Sequence, residues 1–186
     1  MKRIFTAVKI DPGEKFLQSF RELRYRLGSE PIKWVEEQNI HITIKFFGET
    51  EEGLIPAISG TLDKIAQSRG PLNFRLSGLG IFGSRYQPRV VWSGIDPVEP
   101  MAGLIKIVQK EMEQFGFDSD RQNTVPHLTL GRIKFLKDKQ LFQKVTDANR
   151  ELHSNLIRTE ECILYESILQ REGPRYIELG KFPFGK

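Results

Sequence analysis

Two runs of four residues, His41-Ile42-Thr43-Ile44 and His127-Leu128-Thr129-Leu130, stand 86 residues apart. A second pair, Ile10-Asp11-Pro12 and Ile95-Asp96-Pro97, repeats at a shift of 85, each copy between a strand-like and a helix-like stretch. A near-constant shift across two separate motifs points to a duplicated strand–helix–strand unit, and such units commonly pack about a pseudo-two-fold axis. The repeat therefore predicts a structure built twice, with the two His-Thr strands set symmetrically beside one cleft. The chain has 186 residues, about the length of one domain, so residues 1–186 are expected to form a single bilobal domain.

Hydrophobic periodicity fills in the elements. Residues 3–10, rich in Ile, Val, Phe and Thr, read as a half-buried strand. Asp11 is placed to cap the helix that follows, with Pro12 at its first position, Glu14 at capping-box spacing, and an apolar stripe of Phe16, Leu17, Phe20, Leu23 and Leu27 running to Gly28. Further strands are expected at 32–35, 40–47, 72–79, 89–95, 127–133, 162–170 and 176–182. Further helices are expected over 54–66, where Pro56 and Gly60 are unfavourable, over 98–115, and around Leu141, Phe142, Val145, Ala148 and Leu152. A polar loop covers 116–126, and Glu172-Gly173-Pro174 separates the last two strands. Strands and helices mixed in this way predict an α+β fold.

On a strand, side chains at i and i+2 share a face, so each motif presents an imidazole and a hydroxyl together: His41 with Thr43, and His127 with Thr129. The alternate residues, Ile42, Ile44, Leu128 and Leu130, point into apolar layers. A polar pair on an otherwise apolar strand is expensive unless its face lines a wet cleft. With three histidines and eight threonines in the chain, two such runs arise by chance with odds of roughly 10⁻⁴. Two histidines facing one cleft suit a reaction that removes a proton from one oxygen and delivers one to another, as in hydrolysis of a cyclic phosphodiester. Lys45 and Arg132 are the cations placed to hold a phosphate. Lys45 lies at i+4 from His41, on the same face of a regular strand. Arg132 lies at i+5 from His127 and would point away, with Gly131 expected to supply the twist that brings it back. The third histidine, His153, has no threonine partner and reads as a surface or helix-end residue.

Composition narrows the chemistry further. Cys162 is the only cysteine, which excludes an internal disulfide framework and any multi-cysteine metal site, and agrees with a reducing, cytoplasmic setting. The opening stretch meets Lys9 and Asp11-Pro12 before it could form a secretory apolar region, and no run approaches the ~18 apolar residues of a membrane span. The net charge of +4 permits an anionic partner. No metal-ligand spacing is present, so neither a metal nor another cofactor is expected.

The paired motifs, together with residues 3–8, Trp34-Val35, Lys45-Phe46-Phe47-Gly48-Glu49, residues 88–92, Pro126 and Arg132, closely resemble the 2H phosphoesterase superfamily, in its RNA 2′,3′-cyclic phosphodiesterase or 2′-5′ RNA ligase-like branch. The resemblance implies a two-lobed, pseudo-two-fold-symmetric fold with antiparallel sheets lining a central cleft and helices outside. It implies metal-free hydrolysis of RNA 2′,3′-cyclic phosphate ends to 2′-phosphates, and in some members the reverse joining of tRNA halves. By this resemblance His41 is the proton donor and His127 the acceptor, while Thr43, Thr129 and Arg132 bind the phosphate. The expected partner is RNA with a cyclic phosphate end, without a membrane, and the protein is expected to be monomeric. Phe47 replaces a leucine common in the family and is expected to pack, whereas Phe46 is open to packing or to stacking on a terminal base. The rival reading is a non-catalytic RNA-end binding module that uses the same basic cleft.

Overall fold

The apolar stripes organise the chain into four helices on one face of a curled sheet. In the computed structural model, which describes residues 1–84, 86–119, 125–171 and 173–186, the strands are β1 (Lys2–Lys9), β2 (Ile32–Trp34), β3 (His41–Thr50), β4 (Leu72–Gly83), β5 (Pro88–Asp96), β6 (Leu128–Ile133), β7 (Ile157–Thr159), β8 (Glu161–Leu169) and β9 (Pro174–Pro183). The helices are α1 (Glu14–Arg26), α2 (Ile55–Gln67), α3 (Glu99–Met112) and α4 (Lys139–Ala148). Among the described residues no helix is long and apolar enough to cross a membrane. The expected loop at 116–126 and turn at 172–174 lie partly outside the described residues.

Every strand pairing is antiparallel, and the order across the sheet is β7-β4-β5-β6-β3-β1-β8-β9, with β2 added to β6. This order reads as two mirrored halves that meet at β6 and β3. β1 corresponds to β5, each leading into a helix, and β8 corresponds to β4. At the seam Ile42 pairs with Leu128, and these are equivalent residues of the two copies of the repeat. The local two-fold axis therefore passes between the two His-Thr strands. The antiparallel strands of both halves join in one continuous sheet, and β8 and β9, late in the sequence, complete the half begun by β1.

The helix-covered face is dry. Phe16, Phe20 and Leu62 from the first two helices, Leu104 and Val108 from α3, and Val145 from α4 pack in one cluster with Ile4, Val8, Ile42, Val91 and Leu128. Burial of each such side chain is worth about 1.5–3 kcal/mol. The helix starts differ from expectation. Asp11 does not cap α1; its Oδ1 accepts the Gly13 N–H (2.9 Å), and Gly13, at φ 78°, precedes the helix, which begins at Glu14. The short Asx-type turn consumes the carboxylate that a cap would have used. Pro56 falls in the first turn of α2, where its missing N–H costs nothing. Asp138, unassigned from sequence, caps α4 by accepting from Leu141 N–H (2.9 Å). The α4 helix ends at Ala148, so His153 lies beyond it and forms an isolated bridge with Ser77.

Candidate active site

The seam register fixes the geometry of the site. One residue either side of the Ile42–Leu128 pair, an antiparallel ladder sets His41 beside Thr129 and Thr43 beside His127. Ile42 and Leu128 are fully buried toward the helices, while the two histidines and two threonines are half-buried on the opposite, concave face. Thr43, His127, Thr129 and Arg132 line one cleft of about 690 Å³, whose walls include Phe46 and Phe82. His41 does not line that cleft; it lines a separate hollow of about 100 Å³ with Lys9, Tyr165 and Tyr176, and the ladder register sets it beside Thr129 of the cleft.

Two matching irregularities decide which cations reach the cleft. Between β1 and β3, Thr6 pairs with Lys45 and Ala7 with Thr43, leaving Ile44 unopposed. Between β5 and β6, Val91 pairs with Gly131 and Trp92 with Thr129, leaving Leu130 unopposed. Each is a β-bulge at the equivalent position of its repeat, and each flips the alternation that follows. Lys45 is thereby turned off the cleft face. It is 3% exposed and its Nζ donates to the Asp118 carbonyl (2.8 Å), so the expectation that it shares a face with His41 is not met. The same shift carries Arg132, at i+5, into the cleft, as it does Phe46 in the other copy. Gly131 serves a different purpose from the one expected: a Cβ there would lie 2.8 Å from both Ile32 Cγ2 and Trp34 Cε3, so its absence lets β2 pack on β6.

Both imidazoles are oriented in the same way. His41 Nδ1–H donates to the carbonyl of Asn39 (2.6 Å), and His127 Nδ1–H to that of Val125 (2.8 Å), each two residues upstream. A carbonyl can only accept, so Nδ1 holds the proton and Nε2 of the neutral ring is the basic nitrogen. His153 makes the same bond to Glu151 (2.9 Å), so this contact alone does not mark a site; the threonine partner and the cleft do. Aromatic rings fix the planes. Phe5 and Tyr176 lie 5.2 and 5.4 Å from His41, and Phe82 and Trp92 lie 4.7 and 6.0 Å from His127. Burial pushes both imidazoles below their ordinary value, and the Arg132 guanidinium pushes both further in the same direction. Both causes favour the neutral rings, and the cleft wall carries two guanidinium groups, Arg132 and Arg89, of which sequence reasoning named only the first. Cys162 takes no part, since burial pushes its thiol up to about 12. No metal-binding cluster of His, Cys, Asp or Glu occurs among the described residues.

Sequence reasoning missed the aromatic walls, because Phe82, Trp92 and Tyr176 come from strands distant in sequence. Phe46, left open there, is 44% exposed in the cleft wall, with the Arg3 guanidinium 4.6 Å over its ring; Phe47 packs on Phe117 at 5.0 Å. Behind His127 the packing is tight. Gly80 pairs with Trp92 across the strands, and a Cβ at Gly80 would run into the indole ring of Trp92. The indole is itself stacked on Phe82 at 4.8 Å. Gly80→Ala should therefore cost about 1–3 kcal/mol, read by denaturant unfolding, and lower turnover by displacing His127. Unchanged stability would show that the indole has room to move.

The sequence pattern described as LigT like Phosphoesterase matches residues 8–92. The RNA 2′,3′-cyclic phosphodiesterase of Archaeoglobus fulgidus is 31% identical, covering 97% of this chain and 99% of its own, and that of Methanocaldococcus jannaschii is 30% identical over 94% and 96%. The crystal structure of E. coli LigT complexed with 3′-AMP superposes with a TM-score of 0.76 at 21% identity, covering 100% of this chain and 99% of that one. LigT shares the fold, the two sequence relatives match almost end to end at 30% identity or more, and on the ground of that sequence match and the family pattern the chain belongs to the LigT-like phosphoesterase family.

Proposed function

We infer that the cleft hydrolyses 2′,3′-cyclic phosphate ends of RNA to 2′-phosphomonoesters. The observation that carries this reading is the pair of equivalent imidazoles, each with Nδ1 fixed on a backbone carbonyl, beside two threonine hydroxyls and Arg132. The relatives bearing the name RNA 2′,3′-cyclic phosphodiesterase support the same substrate class.

His127 is the base. Its Nε2 takes a proton from water as the water oxygen attacks phosphorus. The bond from phosphorus to the ribose 3′ oxygen breaks, leaving the phosphate on the 2′ oxygen. His41 is the acid. As imidazolium it keeps the Nδ1 proton on Asn39 and delivers the Nε2 proton to the departing oxygen. Arg132 and the hydroxyls of Thr43 and Thr129 hold the non-bridging oxygens, and a guanidinium suits them because it donates two parallel hydrogen bonds. Burial is the main cause that lowers both imidazoles, and the entering phosphodiester offsets the lesser contribution of the Arg132 charge, so substrate binding favours protonation of the acid. These groups complete the reaction without a metal ion. With a 5′ hydroxyl in place of water the same steps form a 2′-5′ linkage, which is the reaction that would join tRNA halves.

The reading predicts a bell-shaped pH profile of kcat/KM for a 2′,3′-cyclic nucleotide. One limb reports loss of the acid's proton and the other protonation of the base. Because both free-protein imidazoles are depressed, the centre of the bell should fall below about pH 6.5, the ordinary imidazole value. A profile that rises monotonically through the neutral range would contradict the two-histidine scheme.

A further inference from the structure

The catalytic cleft continues into a basic groove. Its rim residues Gly83 and Ser84 also line a hollow of about 380 Å³ between the β4–β5 hairpin and α4, which shares Lys139 and Asp147 with a further hollow of about 580 Å³ reaching Lys144 and Tyr86. Residues 132–150, running from the phosphate-facing arginine of β6 through α4, carry six Lys or Arg (132, 134, 137, 139, 144, 150) against Asp138 and Asp147, a local excess of four. The whole chain has a net charge of +4, so the rest of it balances to zero. Asp147 is occupied by Arg150 (2.8 Å), whereas Lys139 and Lys144 are exposed and form no ion pair among the described residues. Tyr86 is 82% exposed at the same place.

A positive track beside an exposed aromatic ring is the chemistry that follows a single-stranded phosphate backbone and stacks a base. A cyclic phosphate is the 3′ end of its strand, so with that phosphate at Arg132 the remaining nucleotides must leave the cleft in the 5′ direction. We propose that the groove carrying Lys139 and Lys144, with Tyr86 beside them, binds the phosphates of the single strand lying 5′ of the cyclic end. The protein is then adapted to oligonucleotide ends rather than to free cyclic nucleotides. This rests on the hydrolase reading for its polarity, but it has a binding readout of its own.

The test compares the wild type, Lys139→Glu/Lys144→Glu, and the charge-matched control Lys106→Glu/Lys110→Glu, whose exposed side chains on α3 line none of these hollows. The first readout is kcat/KM on a short oligoribonucleotide with a 2′,3′-cyclic end and on the cyclic mononucleotide. The second is fluorescence anisotropy of an oligoribonucleotide without a terminal phosphate, across a salt series. The groove variant should lose about tenfold in kcat/KM on the oligomer and little on the mononucleotide. Its salt slope should flatten by about 1.4, the share of two phosphate contacts on a single strand, while the control keeps the wild-type slope. Equal losses in both double variants would reduce the effect to long-range charge and overturn the proposal, as would an unaffected groove variant or equal losses on both substrates. If the wild type turns over neither substrate, the hydrolase reading fails, and the anisotropy series decides the groove by itself.

Discussion

Replacing His127 with alanine lowers kcat/KM on a 2′,3′-cyclic phosphate end by about 10²–10⁴-fold, and replacing His41 does the same, while affinity for the 2′-phosphate product changes only a few-fold. The reason is that Arg132 and the two threonines, the groups proposed to hold the phosphate, remain in the cleft wall when either ring is removed. In the proposed mechanism both histidines act in one transition state, so the double variant should lose little more than either single one. The two roles separate with a p-nitrophenyl phosphodiester, whose leaving phenolate needs no proton. There His41→Ala should retain most of its turnover and His127→Ala should not. Single variants that keep wild-type turnover would remove the histidines from the mechanism, and a wild type that binds the end without turnover would favour an RNA-end binding module instead.

The second large effect is expected at Arg132. Arg132→Met should lower kcat/KM by about 10²–10³-fold, the usual cost of removing one charge-stabilising donor at a developing anion. The same variant should raise both histidine titrations in the free protein, because the guanidinium is a cause of depression at each ring. The centre of the kcat/KM bell should then move toward higher pH, and NMR of the imidazole protons reads the two shifts directly. A general loss of folding would lower the rate without raising either titration. Titrations that stay where they are in the wild type would place Arg132 too far from the rings to act on them.

The difference between Arg132 and Lys45 shows what the sequence could and could not reveal. Strand periodicity correctly put His41 with Thr43 and His127 with Thr129, because no irregularity falls between either histidine and the threonine two residues on. Beyond that the bulges at Ile44 and Leu130 reverse the alternation, and neither residue differs in type from its apolar neighbours. Comparison of the two repeats held the missing signal, since a bulge that aims Arg132 into the cleft must, by symmetry, aim Phe46 there and turn Lys45 away. The helical faces were legible for the same local reason: Phe16, Phe20 and Leu23 of α1, and Met101, Leu104, Ile105, Val108 and Met112 of α3, are all buried as their spacing requires. What depended on distant pairing was not legible. The three-residue strand β7 exists through its pairing with β4, and the hollow beside His41 is closed by Tyr176 on β9. Chain order alone also hides that β8 and β9 complete the half containing β1.

Incubation of the wild-type protein with an RNA ending in a 2′,3′-cyclic phosphate, in the presence of a chelator, followed by identification of the terminal phosphate, tests the two-histidine mechanism most directly. Breakage at the 3′ oxygen by the protein's own acid and base predicts a 2′-phosphate formed at the rate seen without chelator. A 3′-phosphate product, or turnover that stops when metal is removed, would contradict it.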